Sequence, residues 1–181
     1  MIAGLYGMTD PARGDPERQV RLLADEGVAV VQLRCKGWPR SAVRALAERC
    51  RPLPLVLVVN DDAELAAELG LCAHLGDTDG AAQGPHGRST HTLEQVRAER
   101  EALYIGFGPV FATGTKDTPW SPRSIPMLAE AVAASARPVV AIGGIGLENI
   151  DEVRATGVAG WAVVGAIWVA PDPRSVIRRL R

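Results

Sequence analysis

Short apolar runs recur along the chain, each closed by glycine, proline or a polar cluster and followed by a stretch with helical spacing. Residues 2–8 read as a strand ended by Thr9-Asp10-Pro11. Asp15-Pro16 supplies a helix cap and a first-turn proline, Val20, Leu22 and Leu23 give the apolar face, and Gly27 is the stop. Residues 28–33 are β-branched and nearly continuous, the pattern of a strand buried on both faces. A helix over 41–50, a strand over 55–59 and a helix over 63–69 follow. The fourth strand spans 71–75, and here the rhythm falters. Too few residues lie between Asp79 and Gly87 for a full helix, and Gly80, Gly84 and Pro85 oppose one. His86 reads as loop, and Gly87-Arg88-Ser89 as the end of a short fifth strand. The pattern then predicts helix 92–101, strand 103–107, helix 127–136, strand 138–142, helix 148–155, strand 161–164 and helix 173–180.

These units alternate strand and helix, which implies a parallel sheet with right-handed crossovers. Eight of them predict an α/β fold: one single-domain (β/α)8 TIM barrel over residues 1–181, with a shortened or missing helix after strand 4. A doubly wound open sheet is the runner-up.

Composition narrows the class. The chain has 181 residues, 47% hydrophobic and 23% charged, with a formal net charge of -1. There is no basic excess to suggest nucleic acid, no apolar run long enough to span a membrane, and no signal-peptide pattern. Three cysteines, odd in number and without a CxxC spacing, predict free thiols and a cytoplasmic protein. The composition leaves a homo-oligomer open.

The polar residues carry the chemistry. Almost every unexpected one falls just after a strand: Gln32, Arg34 and Lys36; Asn60 and Asp61; Asp79; Ser89 and His91; Thr113, Thr115 and Lys116. Gly143, Gly144 and Gly165 follow strands seven and eight. In a barrel all of these open on one face, where bare glycine amides can approach an anion. Of 20 basic residues only Lys36 and Lys116 are lysine, which suits a role for a compact ammonium group. Asp61 and Asp79 are candidate ligands for Mg²⁺. Asp61 is equally a candidate helix N-cap, Asp62 competes for that cap, and Asp77 competes with Asp79. His74 reads as a packed, hydrogen-bonded histidine, and the loop carrying Trp120 as a cover for a substrate.

Seven pieces, in order, resemble the thiamine phosphate synthase family: VQLRCK at 31–36, ND at 60–61, HLGDTD at 74–79, GRSTH at 87–91, GFGPVFATGTK at 106–116, VVAIGGI at 139–145 and VVGAI at 163–167. The resemblance implies a (β/α)8 barrel that joins hydroxymethylpyrimidine diphosphate to thiazole phosphate with Mg²⁺, releasing pyrophosphate. It implies that Gln32, Arg34, Lys36, Asn60, Ser89 and Lys116 hold the pyrimidine diphosphate. Arg34, Lys36 and Lys116 would stabilise the leaving group, and Asp61 and Asp79 would hold the metal. Thr113 and Thr115 would meet the thiazole, and the amides of Gly144, Val164 and Gly165 its phosphate. The chain departs from the family at Cys35, at Gly165, at Asp77-Thr78, in the short segment 80–85, and in a loop 117–126 without the usual glycine. Two alternatives remain: a thiazole tautomerase moving a proton through His91, and a non-catalytic phosphate-ligand binding module.

Overall fold

The computed structural model describes residues 2–76, 79–80, 82, 84–113 and 120–181. Its eight strands are all parallel and close on themselves in sequence order. They are β1 (Gly4–Met8), β2 (Val30–Leu33), β3 (Val56–Asn60), β4 (Cys72–Leu75), β5 (His86–Thr90), β6 (Tyr104–Phe107), β7 (Val139–Ile142) and β8 (Gly160–Val163). Closure joins β8 back to β1, with Leu5 opposite Trp161 and Gly7 opposite Val163. The helices are α1 (Pro16–Asp25), α2 (Arg40–Cys50), α3 (Ala63–Leu69), α4 (Leu93–Ala98), α5 (Ile125–Ala134), α6 (Ile150–Ala155), α7 (Gly165–Trp168) and α8 (Pro173–Leu180). Among the described residues no helix is long and apolar enough to cross a membrane.

The apolar runs of β2, β6 and β8 are continuous because those strands are buried on both faces. Outward residues such as Val31, Leu57, Ile105 and Val163 pack against Val20, Leu46, Leu65 and Ile177 of the helices. Inward residues Tyr6, Met8, Val30, Val58, Tyr104, Val140 and Ala162 fill the barrel. Size complementarity is exact at one point: a Cβ on Gly87 would stand 2.1 Å from the Tyr104 ring, so that glycine makes room for the phenol.

Among the described residues between β4 and β5 there is no helix, as the pattern predicts. Three readings are corrected. His86 is not loop: it opens β5 and is buried, its Nδ1 3.0 Å from the Gly84 carbonyl. The helix after β5 runs over Leu93–Ala98 and not 92–101: Thr92 is its N-cap, closing a capping box with Gln95, and Glu99 is already extended. Finally, Gly165 does not merely end a strand but opens α7, whose Trp168 donates its indole N–H to the Met8 carbonyl at 2.8 Å.

Candidate functional site

The C-terminal ends of the strands open into two neighbouring hollows. The larger, of about 390 Å³, is lined by Arg34, Ser89, His91, Thr113, Gly143, Gly144, Val164 and Gly165 over an apolar floor that includes Met8, Ile142 and Ala162. The second, of about 350 Å³, is lined by Lys36, Asn60, Asp61 and Asp62, with Cys35 and Trp38. Gln32 lies on the inner side of β2 with 1% of its surface exposed. Asp79 borders neither hollow, and Thr115 and Lys116, like the alternative ligand Asp77, lie outside the described residues.

Along β7 and β8 the site is made by backbone. Gly143 and Gly144 have φ of 100° and 65°. A Cβ on Gly144 would sit 2.4 Å from the Ala112 carbonyl, and one on Gly143 2.6 Å from Pro109. Only glycine fits this turn against the loop after β6. Asn149 braces it: the Gly146 amide donates to Asn149 Oδ1 at 2.9 Å, and Asn149 Nδ2 donates to the Gly144 carbonyl at 2.9 Å. The sequence pattern gave no sign of Asn149, because it acts only on backbone groups.

Along β2 and β3 the site is made by side chains without partners. Among the described residues, no ion pair or hydrogen bond engages the side chains of Arg34, Lys36 or Asp61. Gln32 Nε2 is buried with no acceptor. Leaving such a donor unmade is costly unless a ligand completes it. The neighbouring charges behave differently. Asp62 takes the α3 cap, accepting from Leu65 N at 2.8 Å, and pairs with Arg40 at 3.1 Å. That removes the helix-cap explanation for Asp61. Asp61 instead adopts φ 61°, a left-handed conformation uncommon for a residue with a side chain, while its N–H donates to the His74 carbonyl at 2.9 Å.

Asp79 is held by Gly76 and Arg88. Its Oδ2 accepts the Gly76 amide at 2.6 Å. Arg88, on β5, donates to the carbonyls of Gly76, Asp79 and Gly80 at 3.0, 2.6 and 3.1 Å. Glu99 backs Arg88 at 3.7 Å. Burial pushes the Glu99 carboxyl up, but the amides of Ala102 and Glu101 and the Arg88 charge outweigh it and hold the group below the usual range. Arg88 therefore does for this short segment what helix packing does elsewhere in the barrel.

Ser89 hydrogen-bonds His74 Nε2 at 3.0 Å. His91 Nδ1 lies 2.5 Å from the Gly108 carbonyl, and its ring stacks on Trp120 at 5.1 Å and 20°. The Arg123 guanidinium lies over the Trp120 ring, 4.8 Å from its centroid. Trp120 is thus placed beside the larger hollow by stacking.

The donors suit a hard cation. Among the described residues no group of three or more His, Cys, Asp or Glu side chains could cage a metal alone. One or two carboxylates, completed by water and ligand oxygens, is the set Mg²⁺ takes.

The sequence and the fold are similar to those of known proteins. The chain is 37% identical to a thiamine-phosphate synthase of Anaeromyxobacter dehalogenans, over 99% of this chain and 87% of that one. It is 38% identical to one of Thermus thermophilus, over 100% of this chain and 97% of that one. Among solved structures, a thiamine phosphate pyrophosphorylase from Pyrococcus furiosus superposes with a TM-score of 0.83 at 28% identity, over 98% of this chain and 93% of that one. The profile described as thiamine monophosphate synthase matches residues 5–167, and the chain belongs to that family.

Proposed function

We infer that the protein couples hydroxymethylpyrimidine diphosphate to thiazole phosphate, giving thiamine phosphate and pyrophosphate. The observation that carries this reading is the set of unsatisfied polar groups at the ends of β2 and β3: the buried Gln32 amide, the Arg34 cation lining the larger hollow, and the Lys36 cation and Asp61 carboxylate lining the second. A diphosphate with a divalent cation is the ligand chemistry that answers both the donors and the carboxylate.

In the reaction the bond between the pyrimidine methylene and the diphosphate oxygen breaks. The electron pair leaves with pyrophosphate, and the thiazole nitrogen then supplies the pair for the new C–N bond. Arg34 and Lys36 meet the negative charge that develops on the departing oxygens, and preorganised cations of this kind favour the transition state. Lys116 is assigned the same work. Ser89, Asn60 and Gln32 orient the pyrimidine diphosphate. Asp61 and Asp79 would hold Mg²⁺, which adds Lewis-acid stabilisation of the leaving group. The amides of Gly144, Val164 and Gly165 hold the thiazole phosphate, with Thr113 and Thr115 against its ring. The apolar floor of Met8, Ile142 and Ala162 keeps water from the electron-poor methylene. No side-chain nucleophile is needed.

The test is to incubate the protein with both substrates and Mg²⁺, with and without EDTA. Thiamine phosphate and pyrophosphate in equal amounts, suppressed by chelation, are expected. No coupling, together with metal-independent thiazole isomerisation that His91→Ala abolishes, would replace this reading with the tautomerase.

A further inference from the structure

Behind Ser89 the barrel interior holds a chain of side chains that the coupling reaction does not use. Tyr6 Oη lies 2.7 Å from Tyr104 Oη, which lies 3.0 Å from His74 Nδ1. His74 Nε2 lies 3.0 Å from Ser89 Oγ, and Ser89 lines the larger hollow. The His74 and Tyr104 rings stack at 5.5 Å and 29°. Both tyrosines are buried, each 2% exposed. Burial pushes both phenols above their ordinary value, so each keeps its single hydrogen.

That single hydrogen gives the chain a direction. Suppose Ser89 donated to His74 Nε2. Then Nδ1–H would donate to Tyr104, Tyr104 to Tyr6, and the Tyr6 hydrogen would need an acceptor. Among the described residues Tyr104 is the one hydrogen-bond partner of the Tyr6 hydroxyl. A buried donor would be left unmade, which carries the full cost of its desolvation. An imidazolium meets the same obstacle, because both of its nitrogens donate. In the opposite direction every hydrogen is used: Tyr6 donates to Tyr104, Tyr104 to Nδ1, and Nε2–H to Ser89. The Ser89 hydrogen then remains for the cavity.

We propose that Tyr104, backed by Tyr6, is a positioning residue that fixes His74 as its Nε2–H tautomer, so that Ser89 presents its hydroxyl hydrogen to an anionic oxygen of the ligand. This rests on the reading of Ser89 as a diphosphate contact and deepens it. The polarity of the chain frees the Ser89 hydrogen for the ligand, which suits a diphosphate oxygen, and leaves one Oγ lone pair beside it.

The experiment is ¹⁵N NMR of the histidine rings in the full-length protein, with His74 assigned by substitution, joined to calorimetric titration of inorganic pyrophosphate. A pyridine-like Nδ1 and a protonated Nε2 are expected in the native protein. Tyr6→Phe keeps Tyr104 as the donor to Nδ1, so it preserves the tautomer and leaves pyrophosphate affinity within about twofold. Tyr104→Phe removes that donor, admits the Nδ1–H tautomer and weakens pyrophosphate by the reciprocal of the Nε2–H fraction the spectrum then shows, about tenfold where one ring in ten keeps it. A native ring protonated at Nδ1, or at both nitrogens, overturns the proposal. So does a Tyr104→Phe protein with native affinity. If Tyr104→Phe does not fold, the native spectrum alone decides. These readouts need no turnover: the expected tautomer and affinities without coupling would sink the synthase reading and leave this proposal standing.

Discussion

At β7 and β8 the barrel mouth is shaped by backbone: Gly143 and Gly144 at positive φ, packed against Pro109 and Ala112 and braced by Asn149. At β2 and β3 it is shaped by side chains, and Gln32, Arg34, Lys36 and Asp61 lack partners among the described residues. The first half has its shape before any ligand arrives, and only its amides await an acceptor. The second is a set of charges and donors that only a ligand completes. A dianionic phosphate needs amides at fixed positions, which a rigid turn supplies. A diphosphate that departs with new charge needs cations and a metal, which side chains supply.

The largest effect that would break this comparison is at Asp61. Asp61→Asn keeps the size and tolerates φ 61°, so it isolates the charge. Steady-state assays are expected to show turnover falling about 10²–10³-fold. Stability should change by no more than about 0.5 kcal/mol, because the carboxylate has no protein partner to lose. Comparable losses of activity and stability would mark Asp61 as structural.

Gly144→Ala attacks the other half. Its Cβ would meet the Ala112 carbonyl, and a positive φ carries about 1–3 kcal/mol of strain for a side-chain residue. KM for thiazole phosphate is expected to rise about tenfold to hundredfold, with KM for the pyrimidine diphosphate little changed. Equal rises in both would erase the division of the mouth.

Asp62→Ala sharpens the contrast from next door. It removes the α3 cap and is expected to cost about 1 kcal/mol in a denaturant melt. Coupling kinetics should stay within about twofold of native, the reverse of the pattern at Asp61.

The smallest effect lies far from the mouth, at Glu26, where α1 meets α8. Hydrogen bonds from Arg178 and Arg174 lower its carboxyl from 4.5 to about 2. A folded value below the unfolded one contributes stability that is complete above pH 4.5 and is lost as pH falls toward 2. Thermal melts across that window should show the native protein losing more of its melting temperature than Glu26→Gln. Parallel curves would remove this linkage.

What the sequence made legible follows from where the information resides. Strands buried on both faces advertise themselves, so β2, β3 and β7 stand out as apolar runs. His86 and α7 do not. β5 is a polar strand whose Gly87 and Ser89 answer Tyr104 and His74 on the two strands beside it, a relation visible only once the strands pair in register. Four residues of α7 are too few for a helical period, and Gly165 alone resembles a stop. The cations and Asp61 were visible because charges at strand ends are conspicuous. Arg88 and Asn149 were not, since both work on carbonyls and amides that every residue possesses. Tyr6 and Tyr104 pass for ordinary core until their hydroxyls meet.

The most direct measurement of the division between the two halves is calorimetric titration of magnesium pyrophosphate into native protein, Arg34→Met and Gly144→Ala. The account predicts that Gly144→Ala binds it as the native protein does, while Arg34→Met binds at least about tenfold more weakly. Native affinity in Arg34→Met, with the loss falling on Gly144→Ala instead, would contradict it.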